Sequence, residues 1–192
     1  FAEVQPLSFS EFLGGMDAGM LEYVQNIKEI KPIPDIFFNS LLEKFRLYLV
    51  SGGMPEPARI LADEKNPDNV RKALKDILNA YALDFSKHAS PKDIPKIHHI
   101  WNSIPAQLAR ENKKFVFKKV RSGARAREYE DALTWLVQAG LVHRVHCCVK
   151  PRAPLPAYDD LTAFKIYLSD VGLLREMAGL DPTIFTESPA LF

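Results

Sequence analysis

Cysteine is scarce in this chain: 192 residues carry two, Cys147 and Cys148, and they are adjacent. Neighbouring cysteines seldom reach the Cβ separation and orientation that a disulfide needs. A disulfide-stapled fold is therefore not expected, and a reducing, cytoplasmic compartment is. No apolar run approaches the roughly 18–20 residues that span a bilayer, which removes the membrane as an expected partner. The opening residues Phe1-Ala2-Glu3-Val4-Gln5-Pro6 contain no initiator methionine, basic segment or apolar signal core. The chain reads as a piece of a larger cytoplasmic protein. A dominant charge is missing too: 25 Lys+Arg are balanced by 24 Asp+Glu, for a net charge of +1. That balance argues against a polybasic, histone-like protein but leaves room for an uneven distribution.

Catalytic signatures are missing as well. There is no GxSxG, HExxH or paired CxxC. No glycine precedes a lysine, so the GxxxxGK[ST] phosphate loop is absent, and no strand-terminal acidic pair suits magnesium. No catalytic residue is assigned, and the chain is not expected to be an enzyme by itself. Its His143, His146, Cys147 and Cys148 are close in sequence. On a strand, however, His143 and Cys147 face one side and His146 and Cys148 the other. Neither side supplies the four convergent ligands of a structural zinc, so packing is expected and no metal. His98 and His99 lie about 100° apart on a helix and do not face one ion. Asp159-Asp160 belongs to a proline-rich turn, and Asp84 has no special role on physical grounds. Trp101, Trp135 and Tyr129 read as core or boundary aromatics.

What is present is helix. Hydrophobic residues make up 47% of the chain and charged residues 26%, ample for one good-sized domain or two small ones. Ser8 and Glu11 have capping-box spacing before a short helix that Gly14-Gly15 should end. A second helix is predicted over about 17–28, broken by Lys31-Pro32-Ile33-Pro34. Phe38, Leu41, Leu42, Phe45 and Leu49 recur at helical spacing from Asp35 onward. Asn66-Pro67 reads as N-cap and first-turn proline of a helix running to about Lys87. Ser90-Pro91-Lys92-Asp93 repeats the capping logic, and Pro105 should kink or break the helix that follows near Ser103.

Beyond Arg110 the pattern changes. Phe115-Val116-Phe117 suggests a short strand or turn, 124–139 a helix stopped by Gly140, and 141–149 a β segment. A proline-containing loop over 150–161, a strand over 162–168 and a short helix over 171–178 follow. The expected class is mainly α: a helical lid-like bundle over 1–89, then a winged helix-turn-helix over 90–180 with a small antiparallel β element. The boundary is placed near Ala89-Ser90-Pro91, and 181–192 is expected to be an irregular segment leading onward.

Several segments carry a family resemblance. Pro6-Leu7-Ser8-Phe9-Ser10-Glu11-Phe12-Leu13 is similar to the segment that follows the P-loop core in a large group of bacterial and archaeal AAA-type ATPases. Tyr48-Leu49-Val50-Ser51-Gly52-Gly53-Met54-Pro55-Glu56 resembles their glycine-glycine-x-proline segment. Asp93-Ile94-Pro95-Lys96, Ser103-Ile104-Pro105-Ala106-Gln107-Leu108, Gly123-Ala124-Arg125-Ala126-Arg127-Glu128-Tyr129 and Trp135-Leu136-Val137-Gln138-Ala139-Gly140-Leu141-Val142 extend the likeness, as does Lys165-Ile166-Tyr167-Leu168-Ser169-Asp170-Val171-Gly172-Leu173-Leu174. The resemblance spans nearly the whole chain. It implies an ATPase core before Phe1, holding ATP and Mg, then a helical lid and a winged helix, with a nuclease-like domain after Phe192. The family's C-terminal region is a domain of unknown function.

Two places are candidate sites. By the resemblance, Gly52, Gly53, Met54 and Pro55 form a lid segment that touches nucleotide bound by the upstream core; by local chemistry they form a helix cap and turn. The second is the stretch from Arg110 to Arg127, which holds eight cations (Arg110, Lys113, Lys114, Lys118, Lys119, Arg121, Arg125 and Arg127) against one acid, Glu111. Such clusters gain from counterion release on phosphate backbones, so nucleic acid is an expected partner, with backbone contact more credible than base reading. Two features pull the other way. Glu128, Glu130 and Asp131 follow on the same helix, and Arg127 and Asp131 have the spacing of an intrahelical ion pair. The function expected is accessory, coupling a core's nucleotide state to nucleic-acid or partner binding. The alternative is a protein–protein interaction or homo-oligomerisation module.

Overall fold

A computed structural model describes residues 4–110 and 114–187. In chain order its helices are α1 (Phe9–Met16), α2 (Ala18–Gln25), α3 (Asp35–Ser51), α4 (Pro55–Glu64), α5 (Pro67–His88), α6 (Ile94–Leu108), α7 (Phe117–Val120) and α8 (Ala126–Gln138). Strand β1 (Val142–Cys148), a 3-10 turn (Leu155–Tyr158) and strand β2 (Asp159–Leu168) follow, then α9 (Val171–Met177) and α10 (Thr183–Glu187). The protein is mainly helical, with one two-stranded antiparallel sheet among the described residues. No helix among those residues is long and apolar enough to cross a membrane.

The chain divides into two compact units, one of Phe1–Leu78 with Asp170–Phe192 and one of Asn79–Ser169. This differs from a boundary at Ala89-Ser90-Pro91. The division falls inside α5, and α9 belongs to the first unit. Cap and turn signals mark where helices end, whereas contacts decide which body a helix joins, and α5 is one unbroken helix across the dividing point.

In the first unit, Ser8 and Glu11 form the expected capping box. The helix then continues through Gly14-Gly15 to Met16, because Asp17 takes over as N-cap of α2 and accepts from Met20 N–H at 3.0 Å. Buried Phe12, Leu13, Val50, Leu61, Val70, Leu74 and Leu173 form the core. Arg175 is also buried: its Nε donates to Val50 O at 3.1 Å and Nη1 to Leu180 O at 2.8 Å, tying α9 to the end of α3. Part of the expected irregular tail is helical. Asp181 accepts from Thr183 N–H and Oγ1, which starts α10. Residues 188–192 of that segment lie outside the described residues.

In the second unit, Phe85 is the hub. Its ring meets Trp101 and Trp135 edge-on at 5.5 and 5.6 Å between centroids. Ile97, Ile100, Ile104, Leu133, Leu136 and Ile166 complete the core. The expected interruption near Ser103 does not occur, and α6 runs through Pro105 to Leu108. Buried Ile104 and Gln107 on either side hold that turn in place, so packing overrides the local cost of proline. Gln107 also anchors a neighbouring segment. Its amide donates to Val116 O at 3.0 Å and accepts from Val116 N–H at 3.1 Å, pinning the extended chain before α7. Phe115 N–H donates to Phe164 O at 2.8 Å and the two rings stack, which lays this segment along β2. The register pairs Val142 with Leu168 through His146 with Phe164, then jumps to Cys147 with Asp160 across a bulge. Gly140, at φ 71°, closes α8.

Candidate nucleic-acid interface and the glycine latch

The Gly52-Gly53 segment follows α3 and is buried. Gly52 has φ 69°, a conformation that glycine adopts without a Cβ penalty, and its N–H closes α3 on Tyr48 O at 2.8 Å. Gly53 N–H donates to Asp170 Oδ2 at 2.6 Å, while Leu7 N–H donates to Gly53 O at 2.7 Å. Tyr48 Oη donates to Leu7 O at 2.9 Å. Asp170 also caps α9, accepting from Leu173 N–H at 2.9 Å. Burial pushes the Asp170 carboxyl above the ordinary carboxylate range, against the opposing pull of backbone N–H groups of Leu173, Gly53, Gly172 and Met54. Burial likewise raises the Tyr48 phenol, helped by the charges of Asp170 and Glu11.

There is no room for side chains here. A Cβ on Gly53 would collide with Leu7 O, one on Gly172 with Ser51 O, and one on Gly52 with the Asp170 carboxylate. The segment is a latch joining the chain before α1, the end of α3 and the start of α9. As donors to a phosphate the glycines do not fit, since both N–H groups already have acceptors inside the unit. Met54 is half-buried, and Pro55 is exposed as the first residue of α4.

The cationic stretch is arranged differently. Lys118 and Lys119 lie on α7, Arg121 in the turn after it, Arg125 at the N-cap of α8 and Arg127 in its first turn. All five are exposed. None of the five is in an ion pair with another described residue. The Arg127–Asp131 pair that the spacing allows does not form. Glu130 turns instead to Arg144, whose guanidinium also lies 3.9 Å from the centre of the Phe164 ring. Lys114 is exposed beside β2 and close enough to Asp160 to add to the lowering of that carboxyl, which Thr162 causes first by hydrogen bonding. Lys113 and Glu111 lie outside the described residues. The α8 N-terminus has no side-chain cap.

Among the described residues no three His, Cys, Asp or Glu side chains are placed to hold a metal ion. Cys147 and Cys148 are free and exposed. His98 packs on Phe85, and His99 Nδ1 lies 3.2 Å from Tyr129 Oη. Asp159 and Asp160 open β2 rather than sitting in the loop.

Compared with known families, residues 42–184 match the family described as Domain of unknown function (DUF8612). The chain belongs to the DUF8612 family. No curated protein and no solved structure matches it. The part matched to DUF8612 includes both ends of the Gly53–Asp170 hydrogen bond and the whole cationic stretch. Sequence reasoning assigned Asp170 no role. A cap is legible in an aspartate preceding Val171-Gly172-Leu173, but its second hydrogen bond, reaching 117 residues away to Gly53, has no local signal.

Proposed function

We propose that this chain is the non-catalytic accessory region of an AAA-type ATP-binding protein, and that its second unit is a winged helix-turn-helix that engages nucleic acid through the phosphate backbone. The observation that carries this reading is the run of five exposed cations on α7, the turn and the start of α8, none of them ion-paired with a described residue. Such charges gain most when they replace condensed counterions on a phosphate backbone. Arg125 and Arg127 stand at the positive end of the α8 dipole, where a cation costs roughly 0.3–1 kcal/mol. A locally unfavourable charge kept at a helix start is the kind of conflict expected at functional sites. Support comes from the element order, α6, the extended Phe115 segment, α7, α8, β1 and β2, which is compatible with a winged helix, and from the segments resembling the ATPase family. ATP and Mg would be held by a core in the same polypeptide, with no group in this chain taking a catalytic part. The setting in this reading is the cytoplasm, where exposed thiols such as Cys147 and Cys148 stay reduced.

The test is binding to short duplex DNA across a salt series. Several phosphate contacts give log Kd a steep dependence on log salt, about 0.9 per contact. Absence of binding to duplex and to single strands alike at low salt rejects the reading.

A second reading, a homo-oligomerisation or protein-binding module, is favoured by the first unit. An apolar groove of about 310 Å3 is lined by Phe9, Leu13, Leu21, Val24, Phe45 and the exposed Phe38. Mass measurement in solution decides whether copies associate there.

A further inference from the structure

The outer face of the β1–β2 hairpin is unlike an ordinary solvated strand surface. Paired residues share a face, so Val145 stands with Lys165 and His143 with Tyr167 on the outward side. Val145 is 51% exposed and Tyr167 37%. A cavity of about 370 Å3 lies beside the bulge after His146. Val145, His146, Phe164 and Tyr167 supply apolar and aromatic walls, and Lys114 and Lys165 stand among the residues lining it. No carboxylate stands among the described residues that line it. Lys114 belongs here because Phe115 is hydrogen-bonded and stacked onto Phe164, which delivers the beginning of the cationic stretch to the hairpin.

We propose that this concavity binds an unstacked base of single-stranded nucleic acid, with Tyr167 as the stacking platform and Lys114 and Lys165 holding the flanking phosphates. The inference rests on the nucleic-acid reading above and narrows its ligand. Charge complementarity selects a polyanion, since two lysines line the site and the five exposed cations follow Lys114 within fourteen residues. Shape selects the single strand. A duplex keeps its base faces stacked inside and offers nothing to an apolar, aromatic-lined cavity, whereas an unpaired base presents a planar face of any sequence. Sequence preference should accordingly be weak.

The experiment is fluorescence anisotropy of the full chain with a labelled oligothymidylate and with a labelled duplex of the same length, at low and moderate salt. The single strand is expected to bind more tightly. Tyr167→Ala should weaken single-strand binding by roughly 5- to 100-fold, Tyr167→Phe should keep it within about twofold, and duplex affinity should barely move in either variant. Tyr167 is on the outward face, so circular dichroism should show an unchanged fold. Lys165→Glu, also on that face, should weaken the single strand independently. Duplex binding with a steep salt slope, together with an unaltered single-strand affinity in Tyr167→Ala, overturns this inference and leaves the broader reading standing. No binding to either probe at low salt removes both.

Discussion

Gly53 N–H and the Asp170 carboxylate meet at 2.6 Å across 117 residues of chain. The contact makes two functions of one side chain, because the same carboxylate caps α9 through Leu173 N–H. It closes the first unit around a point where backbone touches backbone, with Gly53 against Leu7 and Gly172 against Ser51.

The glycines of that latch should be intolerant of a methyl group. Gly53→Ala and Gly172→Ala each force a Cβ into a carbonyl oxygen, and urea denaturation should show losses of about 3 kcal/mol or more. Gly15→Ala is the control. Nothing lies within 4 Å of its added Cβ and it sits inside α1, so it should be neutral or stabilising by up to about 1 kcal/mol.

Asp170 should leave a mark on the pH dependence of stability. Its folded-state pKa is raised by burial, so between the ordinary carboxyl range and that raised value the folded state binds more protons than the unfolded state. Stability contributed by this group is therefore fully present below the unfolded pKa and is lost as pH rises through the folded one. In Asp170→Asn the group no longer titrates, and an acceptor for backbone N–H is lost, at a cost of about 1–3 kcal/mol. The gap in unfolding free energy between wild type and variant should widen as pH falls from 7 towards 4. A narrowing gap would mean that the backbone donors, not burial, dominate.

Arg144 should matter more than its partner. It pairs with Glu130 and covers the Phe164 ring, so Arg144→Ala loses the ion pair, the cation–π contact and packing together. A loss of about 1–2 kcal/mol in chemical denaturation is expected. Glu130 is 42% exposed as a side chain, and Glu130→Gln should cost about 0.5 kcal/mol or less.

Charge reversal on α7 and the following turn tests the interface without touching the core. The triple variant Lys118→Glu, Lys119→Glu, Arg121→Glu should weaken duplex binding across unrelated sequences and reduce the salt slope by about three. Melting temperature should change little, since all three side chains are exposed. Unchanged affinity would shift support to the protein-binding module.

Much of the helical architecture was legible because its signals are short-range. Ser8 and Glu11, Asn66-Pro67 and Gly140 mark helix ends within one turn of chain, and Phe38 to Leu49 announce an apolar helical stripe by spacing alone, although that stripe is only half-buried and lines an open groove. Two breaker signals were overridden, for different reasons. Pro105 stays inside α6 because buried Ile104 and Gln107 hold its turn in place, and Gly14-Gly15 stay inside α1 because the next helix begins only at the Asp17 cap. The candidate cations were legible as a cluster, but their freedom from ion pairs was not: the spacing of Arg127 and Asp131 permits a pair that does not form, while Glu130 is taken by Arg144.

The amino-acid sequence by itself determined the helical class, several helix ends, the hairpin and the uneven placement of positive charge, since each follows from periodicity, capping chemistry or composition. The tertiary structure alone decided that Gly53 is held by Asp170, that α9 joins the first unit and that Tyr167 faces a lysine-flanked cavity. Those relations join residues far apart in the chain, and only the closure of the backbone determines which distant groups come within hydrogen-bonding or stacking range.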